Sequence, residues 1–146
     1  MNGAERSPPN IADYELLRLI GHGSYGDVWL ARGVTGAWRA IKVVWRERFS
    51  DATPFEREFR GLKESMEASH GESIQMALLH VGRNDAAGFF YYVMELADDA
   101  GGSRLVDPAT YVPLTLTELR RRRERLPAED CVRLGVELAR SLAGVP

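Results

Sequence analysis

The residue pattern predicts an α+β fold: a five-stranded antiparallel sheet with one inserted helix, then a loop and two more helices. Three observations carry this. Over residues 14–45, short β-branched and aromatic runs alternate with glycine-bearing turns, as in an antiparallel meander. At residue 53 the apolar period becomes helical, and strand character returns over 74–96. From residue 114 the period is helical again.

Composition agrees with a globular chain. Its 146 residues are 45% hydrophobic and 27% charged, enough for a packed core. A net charge of -2 argues against nucleic acid or an anionic membrane as partner. The single cysteine, Cys131, excludes an internal disulfide and a multi-cysteine metal site. His22, His70 and His80 are too scattered for a zinc centre. The longest apolar stretch, 89–94, is far short of the roughly 18 residues needed to span a bilayer. Residues 1–10 are polar, with Pro8-Pro9 and no apolar core of a secretory signal. The expectation is a soluble, cytoplasmic chain.

Each element has its own signal. Residues 1–13 read as a flexible N-terminal segment, because Ser7-Pro8-Pro9-Asn10 continues neither helix nor strand. The first strand runs from Tyr14 through Ile20 into Gly21, Gly23 and Gly26. A second covers 28–31, a turn 33–36 and a third strand 37–45. In the helix expected over 53–69, Thr53 is the cap, Pro54 the first helical residue and Glu56 the third after the cap. Phe55, Phe59, Leu62 and Met66 form its apolar stripe. A break at 70–73 precedes strands at 74–81 and 89–96, joined by a turn at Gly82-Arg83-Asn84-Asp85. Residues 98–113, with Gly101-Gly102, Pro108 and Pro113, read as a loop. Thr115 with Glu118 forms a second capping-box pattern, opening a helix that carries Arg120 to Arg123. Pro127 starts the last helix, where Leu134, Leu138 and Leu142 line one stripe. No internal repeat is present.

The chemistry begins at Gly21-His22-Gly23-Ser24-Tyr25-Gly26, which fits G-x-G-x-x-G. In a dinucleotide-binding turn a helix follows the third glycine and an acid binds ribose about 20 residues on. Here a strand follows, and the residue about that far on is Lys42. No Gly-Lys-Ser/Thr follows either, so this is not a P-loop. Between antiparallel strands, such glycines either make a plain hairpin or let backbone N–H groups approach phosphates closely. Strand alternation puts Ala40, Lys42 and Val44 on one face and Ile41 and Val43 on the other. An inward ammonium needs an anion; an edge-strand lysine that discourages aggregation is the ordinary alternative. Glu58 borders the apolar stripe of the helix and is the natural counter-ion, although the helix also carries Arg57, Arg60, Lys63 and Glu64.

These motifs together resemble the N-terminal lobe and first C-lobe helices of a eukaryotic-type protein kinase, as in bacterial serine/threonine kinases. Gly21 to Val28 matches G-x-G-x-x-G-x-V, and Ala40-Ile41-Lys42 matches the A-x-K of the third strand. Glu58 stands where the family's helix C glutamate belongs, and Tyr92-Val93-Met94-Glu95-Leu96 resembles the strand leading to the hinge. The resemblance implies an ATP-binding lobe at 14–97, a hinge-to-helix loop at 98–113 and a partial C-lobe, helices D and E, at 114–146. It implies that Gly21, His22, Gly23, Ser24, Tyr25 and Gly26 cover the phosphates, and that Val28 and Ala40 sandwich adenine. Lys42 would bind the α- and β-phosphates and pair with Glu58, these two being the catalytic candidates. Met94 would be the gatekeeper, and the backbones of Glu95 and Ala97 would bond the adenine edge. Asp98 or Asp99 is the candidate for a ribose contact. ATP with magnesium is the implied cofactor and a protein hydroxyl the implied substrate.

The resemblance covers residues 14–143, and the 146 residues contain neither His-Arg-Asp nor the Asp-Phe-Gly that holds magnesium in the family. No metal ligand is therefore assigned, and the chain reads as a catalytically incomplete fragment. Its last helix is expected to need a missing C-lobe or a partner protein to cover it. The alternative, from another class, is a non-catalytic, pseudokinase-like interaction module. The arginine run 120–123 reads as a solvated helix face, because interleaved aromatics are lacking.

Overall fold

The computed structural model describes residues 7–68, 78–123 and 125–143. It is α+β. Five strands, β1 (Tyr14–His22), β2 (Gly26–Gly33), β3 (Trp38–Trp45), β4 (Leu78–Asn84) and β5 (Phe89–Glu95), form one sheet in the order β1-β2-β3-β5-β4. Every neighbouring pair is antiparallel. Three α-helices accompany the sheet: α1 (Ala52–Ala68) between β3 and β4, then α2 (Leu116–Arg122) and α3 (Ala128–Ala143). A short 3-10 turn at Arg46–Arg48 links β3 to α1.

Strand alternation divides the apolar residues into two cores. On one face Leu16, Trp29, Ala31, Ile41, Val43, Trp45, Phe89 and Val93 pack together with Ile11. The ordered chain thus begins ahead of Tyr14: Ile11 is buried, and Asp13 turns at φ 69° to bring Ile11 opposite Tyr14. On the other face Val44 and Phe90 meet Phe49 and the apolar stripe of α1, Phe55, Phe59 and Leu62. Burying these side chains stabilises the fold by roughly 1.5–3 kcal/mol each.

Several boundaries move, for physical reasons. β1 continues through Gly21 and His22, because both pair with β2, opposite Val28 and Asp27. The cap of α1 is not Thr53. Asp51, just before the helix, accepts the Thr53 N–H at 2.7 Å, and Thr53 and Pro54 lie inside the first turn. β4 runs through Gly82, Arg83 and Asn84, placed in the turn by their composition, and the turn falls at 85–88, with Gly88 at φ 76°. At α2, Thr115 accepts the Glu118 N–H at 3.1 Å as expected, but the box does not close. The Thr115 N–H goes to the Pro113 carbonyl, and the Glu118 carboxylate goes to Arg121 and Arg122. The break expected at 70–73, the helix end at 69 and the strand start at 74–77 lie outside the described residues.

Candidate functional site

The register of the central strands assembles the site. Val28 pairs with Lys42, and Lys42 with Tyr92 on the next strand. One step along, Leu30, Ala40 and Met94 form the adjacent row. Val28, Ala40, Lys42 and Met94 therefore share one face of the sheet, the face that also carries Val44 against α1. Ala40 is buried and the other three are half-buried. The Lys42 ammonium lies 5.7 Å from the centre of the Tyr92 ring, a cation–π contact.

Glu58 is half-buried on α1. Among the described residues no ion pair within 4.0 Å joins it to Lys42. The acid of α1 that does find a cation is Glu56, which pairs with Arg83. Its guanidinium donates to both carboxylate oxygens of Glu56, at 2.7 and 2.6 Å, and lies over the rings of Phe55 and Phe59. The same guanidinium also donates to Asp85. Hydrogen bonds from Arg83 hold the Glu56 carboxyl below the ordinary carboxylate range. Glu56 and Glu58 flank the apolar stripe on opposite sides, so the Arg83 clamp leaves Glu58 on the flank away from β4.

At the end of this face, β1 and β2 close over Gly21, His22, Gly23, Ser24, Tyr25 and Gly26. The Gly23 N–H donates to the Gly26 carbonyl at 2.9 Å. A Cβ on Gly26 would lie 2.4 Å from the Val43 carbonyl oxygen, and one on Gly21 3.2 Å from the Val28 Cβ. A Cβ on Gly23 would meet nothing closer than 3.6 Å. Beneath the hairpin, Asp27 is only 4% exposed. It receives two hydrogen bonds from Arg48, at 3.1 and 2.7 Å, and His22 Nδ1 lies 2.6 Å from its Oδ1. Burial opposes ionisation of Asp27, but the hydrogen bonds from Arg48 and His22 outweigh it and pull the carboxyl below its ordinary value. His22, Gly23, Ser24 and Arg48 line an open recess of about 510 Å³.

The segment expected to be a hinge, residues 95–97, lies at the opposite end of the face. β5 ends at the exposed Glu95, which pairs with Arg39, so the Ala97 N–H lies beyond the ladder. The Ala97 carbonyl accepts the Tyr111 hydroxyl at 2.9 Å. Residues 98–113 lack helix and regular strand, as expected, yet are tightly built. The Asp99 carboxylate accepts the N–H groups of Val112, Ser103 and Gly101. These bonds, that of Val112 above all, hold its carboxyl below the usual range. Arg18 of β1 donates to the carbonyls of Pro108 and Tyr111. Asp99 is thus committed to the loop, leaving exposed Asp98 as the freer ribose candidate. A recess of about 580 Å³ opens here between Trp38, Leu96, Ala97 and Asp98 on one side and Ser103 and Val106 on the other.

Sequence reasoning missed Asp27, Arg48, Arg83 and Tyr111. A lone acid between a glycine run and the apolar Val28-Trp29-Leu30-Ala31 was the one available signal, since a charge inside such a strand needs a partner. Among the described residues no group of His, Cys, Asp and Glu could hold a metal ion. No described helix is long and apolar enough to cross a membrane. Compared with models of known protein families, the sequence matches none.

Proposed function

We propose that this chain is the ATP-binding portion of a serine/threonine-type protein kinase, a family that transfers the γ-phosphoryl group of ATP to protein hydroxyls. The supporting observation is the shared face: Val28, Ala40, Lys42 and Met94 lie in two adjacent cross-strand rows under a hairpin whose Gly23 has no steric reason to be glycine. In this reading Val28 and Ala40 contact the adenine rings, with Met94 behind them. Glu95 and Ala97 present backbone groups to the adenine edge. Lys42 takes the phosphates, and the hairpin amides of residues 22–26 cover them. Glu58 becomes the partner of Lys42 once α1 turns toward the sheet. The residues that would hold magnesium and orient the hydroxyl in the family are not among these 146, so binding is the step assigned here. Calorimetric titration with ATP tests it. Lys42→Ala should raise the Kd at least about fivefold, equal to about 1 kcal/mol; an unchanged Kd removes Lys42 from the site.

A second reading, a non-catalytic interaction module, is favoured by α3. It buries no residue, and Leu134, Leu138 and Leu142, one stripe of it, are all exposed. An apolar stripe of this kind marks a docking face. Size exclusion with and without Mg·ATP separates the two. A discrete oligomer indifferent to nucleotide supports the module, and a monomer that tightens with nucleotide supports the ATP-binding portion.

A further inference from the structure

The segment that follows β3 grips the glycine hairpin from below. Arg48 donates to both oxygens of Asp27 and, at 3.1 Å, to the Gly23 carbonyl. The Trp45 N–H donates to the Tyr25 carbonyl at 3.1 Å. The Phe49 ring stacks on Tyr25 with centroids 4.5 Å apart and planes 17° apart. Phe49 in turn packs edge-on against Phe55 of α1, at 5.6 Å. The tip, residues 23–25, lies between the paired ends of β1 and β2 and contains glycine, so it has little conformational preference of its own. Its shape is therefore set by these contacts, and the strongest is the bidentate ion pair with the buried Asp27. Both Nη atoms of Arg48 are committed and its charge is matched by Asp27, so it acts through the hairpin rather than as a phosphate ligand.

We propose that Arg48 is a positioning residue for the glycine hairpin: it holds residues 23–27 in one conformation before any ligand arrives. On the ATP-binding reading above, on which this part rests, that preorganisation raises affinity for the triphosphate and not for the nucleoside.

The test uses the whole chain. Amide exchange and backbone order parameters of residues 23–26 are measured by NMR without ligand, in the wild type, Arg48→Ala and Arg48→Lys. The expected result is a rigid tip in the wild type. In Arg48→Ala the tip exchanges fast while the β2 and β3 ladder amides keep their protection. Arg48→Lys recovers part of the order, because an ammonium cannot reproduce the bidentate fork. Equal tip dynamics in all three proteins would overturn the proposal. So would a loss of protection spread over the whole sheet, which would make Arg48 a general stabiliser. If Arg48→Ala does not fold, Arg48→Lys against the wild type decides by the same criteria. Titrations then follow with ATP and adenosine. Arg48→Ala should weaken ATP roughly tenfold and leave adenosine within about twofold; equal losses overturn the positioning role. A wild type that binds neither ligand removes the ATP-binding reading, and hairpin order in the ligand-free protein then decides the role of Arg48 alone.

Discussion

The three glycines of the β1–β2 hairpin are glycine for different reasons, and none sits at positive φ. At Gly26 a side chain would collide with the Val43 backbone at 2.4 Å, because β2 and β3 start their ladder there. Backbone cannot give way as a side-chain tip can, so Gly26→Ala should destabilise by about 2 kcal/mol or more. At Gly23 the space is open, and Gly23→Ala should change stability by no more than about 0.5 kcal/mol. If phosphates approach this backbone, the same substitution weakens ATP. Urea melts with parallel ATP titrations of both variants check the contrast: stability lost at Gly26, affinity lost at Gly23. All three glycines fit one sequence pattern. The crowding that separates them involves Val43 and Val28, residues that the fold brings near.

Among the elements, the 98–113 segment shows how a stretch without periodicity becomes an ordered part of the molecule. Tyr111 is buried, its hydroxyl bonded to Ala97, while Asp99 and Arg18 saturate the surrounding backbone. Burial, reinforced by the carboxylates of Asp99 and Asp98, pushes the Tyr111 phenol up to about 12. The folded state thus favours the neutral phenol. The associated stability is complete below about pH 10 and is lost as pH rises toward 12. Tyr111 should ionise later than exposed tyrosines in an ultraviolet titration. Tyr111→Phe should cost about 1 kcal/mol at neutral pH through the lost hydrogen bond, and its stability should fall less steeply on the alkaline side. Glycine and proline content correctly marked this segment as irregular. Composition carries no sign of which aromatic a loop will bury, since Tyr111 finds its acceptor 14 residues back. In α1 the apolar period was legible, but its cap was not. Asp51 and Thr53 are both good caps, and the linker anchored by Phe49 decides where the first turn starts.

Across the whole molecule, stability is concentrated in the sheet and α1, whose two cores hold most of the buried apolar side chains, while α2 and α3 bury none among the described residues. Asp27 is the buried charge within that unit. Its folded pKa lies below the ordinary 3.8, so its contribution is present above about pH 4 and is lost as pH falls through the lowered value. Asp27→Asn should cost about 2–3 kcal/mol at neutral pH, since it leaves Arg48 without its counter-ion. The wild-type and variant stabilities should converge as pH falls below 4, measured by urea unfolding at stepped pH. A constant difference down to the acid transition would separate Asp27 from the acid limb.

Local chemistry was enough to read the α+β class, the strand alternation that puts Ala40, Lys42 and Val44 on one face, and Thr115 as a cap. Each depends on residues adjacent in the chain or on a period of two. The pairing of Asp27 with Arg48, the clamp of Arg83 on Glu56, the separation of Lys42 from Glu58 and the anchoring of Tyr111 depend on distance in space. Arg48 lies 21 residues from Asp27, and Arg83 27 residues from Glu56. A charge can choose any opposite charge that the chain brings near. Which one it meets is settled only when the sheet register and the packing of α1 are in place.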